Sequence, residues 1–312
     1  MVLVCNEKGV KYVFWKKLKK QSFYQAMVLP SVIFMIIFNF VPMYGIIIAF
    51  KDYSVLDTIG NAPWVGLDYF KEFFSDPKFW LVVKNTFGIS FFKLIIGFPL
   101  AILLAVLVNE LFNAKFKKMV QTVSYLPHFL SWVILGGMFI SWLSDSGLVN
   151  NLLMDASIIK EPIAFLTKPN YYWGIAVISD VWKEVGWNTI LYIAAMTGIN
   201  PALYEAAKMD GASKFQQIIK ITIPSIRNII ALTLVLAVGG LLNSNLDQTL
   251  VLQNPVNYSA SEVINSYVFK LGIQQGDFSY STAVGLFTSV VSLVLVVASH
   301  YATKKISDTS VF

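Results

Sequence analysis

Tyr204-Glu205-Ala206-Ala207-Lys208-Met209-Asp210-Gly211-Ala212, running on to Ile221-Thr222-Ile223-Pro224, forms a polar island between two long apolar runs. Its front half predicts a short helix. Pro201 suits a first turn, Glu205 to Met209 are strong helix formers, and Gly211 can end the helix. Ala206, Ala207 and Ala212 carry almost no side-chain bulk, so another protein's surface could approach the backbone closely. Glu205 and Asp210 place charge at the same spot. A second amphipathic run follows, through Phe215, Ile218, Ile219 and Ile221, closed by Pro224. A helix–Gly–helix with a small-residue tip between membrane spans makes a good docking knob and a poor active site. The plainer alternative is an ordinary cytoplasmic helical hairpin.

Around this island the chain is too apolar to be soluble at its size. It has 312 residues, 56% hydrophobic and 13% charged, with a mean hydropathy of +0.63, which indicates an all-α polytopic membrane protein. Six apolar runs approach or exceed the ~20 residues a spanning helix needs. They lie near 24–50, 84–111, 118–143, 172–197, 226–246 and 281–303. Ahead of them, 1–22 is basic, with Lys8, Lys11, Lys16, Lys17, Lys19 and Lys20 against Glu7 alone. With six spans, these lysines share a side with Lys115, Lys117 and Lys118, with Lys208, Lys214, Lys220 and Arg227, and with Lys304 and Lys305. The opposite side dilutes its lysines with acids such as Asp52, Asp57, Asp68, Asp76, Glu161 and Asp277. The basic side is expected to be the cytoplasm, with both termini there. That places the knob inside the cell. The net charge of +6 tracks the membrane edge and lacks the aromatic interleaving of a nucleic-acid groove. The single cysteine, Cys5, rules out an internal disulfide and a cysteine metal cage, and its context does not suggest lipidation. No cleavable signal peptide is expected, because Phe23 to Phe50 is too long for one.

Glu205-Ala206-Ala207, Gly211, Ile221 and Ile223-Pro224 are spaced as in the EAA loop of bacterial ABC importer permeases, which this chain resembles. Ile223 departs from the more usual leucine, a volume-conserving change. The resemblance implies that Glu205, Ala206, Ala207, Asp210 and Gly211 form a coupling helix seated in a cleft of a separate ATPase subunit. Glu205 would meet a basic residue there, and Asp210 with Gly211 would hold the turn. Trp64 to Phe70 resemble the segment before the permease core in sugar importers, and Met43-Tyr44-Gly45, Ala49 to Tyr53, Asp247-Gln248, Asn254-Pro255, Tyr267 and Phe278 to Phe287 are similar to the polysaccharide and complex-oligosaccharide branch of the sugar (maltose-type) permeases. The likeness therefore covers nearly the whole chain. It implies the type I ABC importer permease fold, with a transmembrane permease domain over 23–312, core spans over 84–303 and the coupling loop at 200–225. It also implies a second homologous permease chain, two ATPase subunits carrying ATP and Mg, and an extracellular lipid-anchored or periplasmic solute-binding protein. This chain would itself bind no cofactor.

Polar groups inside the spans mark candidate substrate contacts. Asp180, Lys183, Glu184, Trp187 and Leu191 fall at helical spacing on one face of the fourth run. From where that run can start, Asp180 to Glu184 lie about 5–20 Å below the outer edge. They form either an outer-interface cluster, with Lys183 snorkelling and paired to Asp180 or Glu184, or a polar wall of a translocation path. The fifth run carries Gly239-Gly240, Asn243, Ser244 and Asn245, suited either to bonding a hydroxyl-rich solute or to tight helix packing. Trp142, Trp182, Trp187 and Tyr192 suit sugar stacking or an interfacial belt. Lys93 is expected near the outer end of its span or paired to a neighbour. His128 and His300 stand apart from any cysteine or carboxylate at metal-ligand spacing, so both are expected to be structural and no metal site is expected.

No Gly-x-x-x-x-Gly-Lys-Ser/Thr loop is present to cradle a nucleotide, so this chain is not expected to hydrolyse ATP. No serine, aspartate-pair or zinc constellation supports an intramembrane protease or other membrane enzyme. A secondary transporter should show two similar halves, and none is seen. The same importer type with an amino acid, peptide or inorganic anion as cargo remains the alternative to a sugar.

Overall fold

The computed structural model describes residues 21–304, and the N-terminal lysines, Cys5 and Lys305 lie outside the described residues. Among the described residues there is no strand, only one antiparallel bridge between Lys51 and Trp64. The first span, α1 (Ser22–Phe50), widens into a π turn at Ile36–Phe40 just before Pro42, whose ring cannot continue a regular i→i−4 ladder. Its apolar side chains stay uncovered by the rest of the chain until Ala49 packs into the outer core, as suits a helix bathed in lipid or covered by another chain.

An outer segment follows, with a short helix α2 (Asp68–Ser75). Tyr69 Oη donates to Asp52 Oδ1 at 2.8 Å. Partial burial and then the Asp52 carboxylate push this phenol up to about 12, so it stays a protonated donor through the neutral range. The second span, α3 (Pro77–Asn109), starts earlier than apolarity alone predicts. Pro77 occupies the first turn, and the Asp76 carboxylate accepts from Lys78 N at 2.8 Å, an ordinary cap.

The third apolar run is not one straight helix. It divides into α4 (Ala114–Phe129) and α5 (Trp132–Trp142), which meet at 98°. Pro127 weakens the ladder before the break, and Ser131 starts the new helix by accepting from Ile134 N at 3.3 Å. At 11 residues, α5 is about 16 Å long, too short to cross a ~30 Å hydrocarbon core alone. A short helix α6 (Leu148–Asp155) leads to α7 (Pro169–Thr197), 29 residues and about 44 Å long. The island becomes α8 (Pro201–Met209) and α9 (Lys214–Ser225). A 63° bend then leads into α10 (Arg227–Gly239), and α11 (Leu246–Leu252), α12 (Tyr258–Ser261), α13 (Ile264–Phe269) and α14 (Phe278–Lys304) complete the described chain.

Helices α1, α3 and α14 are each long and apolar enough to span. The bent pair α4–α5 and the more charged α7 coincide with the third and fourth apolar runs, whereas of the pair α9–α10 only α10 falls in the fifth run, and it stops at Gly239 rather than near 246. The frame is the long contact between α3 and α7. Gly88 faces Trp173 and Gly97 faces Val181, while Ala101 and Ala105 pack with Tyr192, Ile193 and Met196. Both series ascend together, so the two helices run parallel, and the chain between them must return across the bundle.

The stretch between the fifth and sixth runs folds back into the outer half. Asn85 donates to the carbonyls of Ser259 and Glu262, each at 3.0 Å, and Thr86 Oγ1 accepts from Ile264 N at 2.9 Å. Non-helical backbone is tolerated at such a place when side chains of neighbouring helices satisfy it.

Candidate functional site

A polar cavity of about 320 Å³ opens between α3, α7 and the end of α10. Asp180 and Glu184 line it from α7, and Asn243, Ser244 and Asn245 line it from the turn after α10. One α-helical turn brings Asp180 and Glu184 to the same wall. The α10 helix ends at Gly239, which exposes the asparagine-rich turn to the same space. Asn243 Oδ1 accepts from Asn265 Nδ2 at 2.8 Å, and Asn245 caps α11 by accepting from Gln248 N at 3.2 Å. Ser244 Oγ is buried with no hydrogen-bond partner in the protein.

The charges are paired across helices. Lys93 Nζ on α3 lies 3.0 Å from Asp180 Oδ1 and donates to Gln248 Oε1 at 2.7 Å. Gln248 in turn donates to Ala176 O and Ser179 Oγ, each at 2.8 Å. Of the two partners expected for Lys183, Asp180 is taken by Lys93, which sequence distance hid, and Glu184 stays within ion-pair reach. Lys183 does not snorkel. It is 6% exposed, and its ammonium donates to the carbonyls of Pro127, His128 and Leu130 at 3.3, 2.5 and 3.0 Å. It thus satisfies the carbonyls freed where α4 breaks, with Glu184 Oε1 only at 3.8 Å. His128 is not isolated. Its Nδ1 lies 2.8 Å from Glu184 Oε2, and its ring stacks on Trp187 at 4.3 Å between centroids. Tyr192 is buried against the inner core, with its hydroxyl 2.9 Å from Thr233 Oγ1. Of the seven intramembrane candidates, Asp180, Glu184, Asn243 and Asn245 share the cavity, while Lys183, Trp187 and Tyr192 do not line it.

The knob is closed by local capping at both ends. Asn200 accepts from Ala202 N at 3.0 Å, with Pro201 in the first turn. At the other end, Gly211 adopts φ +77°. Gly211 N bonds Lys208 O at 3.1 Å and Ala212 N bonds Ala207 O at 2.8 Å, which is the Schellman arrangement that favours glycine. Ser213 and Gln216 then form a capping box that starts α9. Glu205, Ala206, Asp210 and Gly211 are exposed, and Ala207 is half-buried. Tyr204 Oη, 2.9 Å from Thr222 Oγ1, ties α8 to α9. Only residues 198–200 separate α7 from α8, so the cavity wall and the knob sit on adjacent helices. Among the described residues no cluster of His, Cys, Asp or Glu could hold a metal ion.

The family model described as the binding-protein-dependent transport system inner membrane component matches residues 97–308. The chain belongs to this family. It is a multi-pass inner-membrane permease rather than an enzyme. Over 297 residues, this permease is 41% identical to the polygalacturonan/rhamnogalacturonan transport system permease protein YteP of Bacillus subtilis (strain 168), covering 95% of this chain and 92% of that one. Protein LplB of the same organism is 39% identical over 306 residues, 98% of this chain and 95% of LplB. Among solved structures, a bacterial alginate ABC transporter in complex with an alginate pentasaccharide-bound periplasmic protein contains a chain 39% identical to this permease. It superposes with a TM-score of 0.86 over 95% of this chain and 99% of that one. The fold is thus the all-α type I ABC importer permease bundle. Sequence reasoning missed Ser90 and Asn188 on the cavity of this permease. Asn188 sits one turn after Glu184, so helical spacing could have found it.

Proposed function

We propose that this permease carries an oligosaccharide or polysaccharide fragment into a bacterial cell by alternating access driven by separate ATPase subunits. The observation that carries the reading is the polar cavity inside an apolar bundle, walled by α7, the helix that leads directly to the knob. Amide and carboxylate groups at Asp180, Glu184, Asn243 and Asn245 offer both donors and acceptors to a hydroxyl-rich solute. Relatives named for polygalacturonan, rhamnogalacturonan and alginate support this class of cargo.

In this account the complex holds a second homologous permease, two ATPase subunits that bind ATP and Mg, and an extracellular lipid-anchored or periplasmic solute-binding protein. Segment 1–22 and both termini are cytoplasmic, and 23–312 forms one transmembrane domain. Glu205, Ala206, Ala207, Asp210 and Gly211 dock in the ATPase. Closure of the ATPase dimer moves the knob, and α7, one unbroken helix from the cavity to the knob, carries that displacement to the wall at Asp180 and Glu184. Lys183, Trp187 and Tyr192 hold that wall to its neighbours. Uptake of a labelled oligosaccharide by cells expressing the complex tests the cargo. Competition by unlabelled oligosaccharides is expected. Competition by amino acids, peptides or inorganic anions instead would replace the sugar with that solute.

A further inference from the structure

We propose that Phe112, on the short loop between α3 and α4, is a second anchor point for the ATPase subunit, beside the knob and distinct from it. This rests on the docking role given to the knob above. Phe112 is 91% exposed and Met209, at the end of α8, is 88% exposed. Phe112 lies just past the end of the apolar α3 and Met209 is the last residue of α8, both on the side that carries Lys115, Lys117 and Lys118. A large apolar side chain held open there points to a protein partner, and aromatic anchors of this kind dominate interface energetics.

The loop is fastened to the knob rather than free of it. Glu110 Oε2 lies 2.8 Å from Lys214 Nζ, and the same ammonium sits 5.5 Å from the centre of the Phe112 ring. Between loop and knob lies a cavity of about 220 Å³ walled by Glu110, Phe112, Tyr204, Lys208, Lys214 and Gln217. Gln217 is 4% exposed. Its Nε2 donates to Ala212 O at 3.0 Å, while its Oε1 is buried without a partner. Buried acceptors are almost always satisfied, so this one marks an unfilled position. Lys208 and Lys214 outnumber Glu110, so a cationic donor is disfavoured. The surface that fits is an ATPase loop with an apolar contact for Phe112 and Met209 and a neutral donor, an amide or hydroxyl, for Gln217 Oε1. Because Glu110 and Phe112 follow α3 directly, the ATPase would then grip α3 as well as α7, the two parallel helices that frame the transport cavity.

The test is photo-crosslinking in the intact complex in native membranes. Cys5→Ser removes the native cysteine, and Phe112→Cys, Met209→Cys and Leu56→Cys are each labelled with benzophenone-maleimide, which needs no particular residue on the partner. Leu56, 96% exposed in the outer segment, is the negative control. Adducts with the ATPase from both Phe112→Cys and Met209→Cys are expected. In the unlabelled protein, Phe112→Asp should lower uptake at least 5-fold with unchanged membrane insertion, and Phe112→Leu should retain most of it. An ATPase adduct from Met209→Cys but none from Phe112→Cys overturns the second anchor and leaves the knob standing. Adducts of Phe112→Cys with lipid or with the second permease overturn it likewise. No ATPase adduct from either position overturns the docking reading, and this proposal with it.

Discussion

The close approach of α7 to α4 at Gly186 makes Gly186→Ala the sharpest test of the packing that holds the cavity wall. A methyl group there would lie 1.9 Å from Ser124 O and 2.4 Å from its carbonyl carbon, both main-chain atoms. Carbon–oxygen contacts ordinarily begin at about 3.3 Å, so α4 must withdraw by more than about 1 Å. Lys183 and Glu184, within one turn of Gly186, bond to Pro127, His128 and Leu130 at the end of α4. Those bonds stretch with the withdrawal. Overpacking of this kind costs ~1–3 kcal/mol before any loss from the hydrogen bonds. Gly174→Ala, on the same helix, is the control, because a methyl group there meets nothing within 4 Å and improves helix propensity by about 1 kcal/mol. Thermal unfolding of the purified complex in detergent, with transport in proteoliposomes, reads the difference. Gly186→Ala should melt several degrees lower and transport more slowly, while Gly174→Ala should melt at or above the parent. Equal melting and transport for Gly186→Ala would refute the close contact and the rigid α4–α7 wall built on it.

Glu205→Lys and Gly211→Pro should each leave membrane insertion intact yet uncouple ATP hydrolysis from uptake. Proline fixes φ near −65° where Gly211 needs +77°, and wild-type uptake in both variants would remove the docking role. Lys93→Met leaves Asp180, only 19% exposed, without its cation, and should destabilise by ~3–5 kcal/mol. Adding Asp180→Leu should recover much of that loss. Denaturation of the single and double variants as a double-mutant cycle checks it, and strictly additive losses would mean that the pair does not interact.

The knob and the membrane character are legible because both are local. Pro201, Gly211, Ser213 and Gln216 act on the backbone within a few residues, and apolar runs of spanning length need no knowledge of neighbours. The 98° break at Leu130–Ser131 was not legible, because Pro127 permits a bend without setting its size. What fixes it is Lys183, 53 residues away. The Lys93–Asp180 and His128–Glu184 pairs are hidden for the same reason. Helical spacing shows which residues share a face, and not which face of another helix they meet. Asp180 and Glu184 could be placed together from spacing alone, whereas their meeting with Asn243 and Asn245 depends on where α10 stops, at a glycine pair whose effect on the chain direction spacing does not specify.

The central claim is that this permease works only as part of an ATP-driven complex, and the most direct test is its composition. The tagged chain is expressed in its native cell, extracted in mild detergent and weighed by native mass spectrometry, with crosslinking in membranes beforehand to exclude detergent loss. One other permease and two copies of an ATPase are expected. The chain alone, or as a homo-oligomer, would contradict the account.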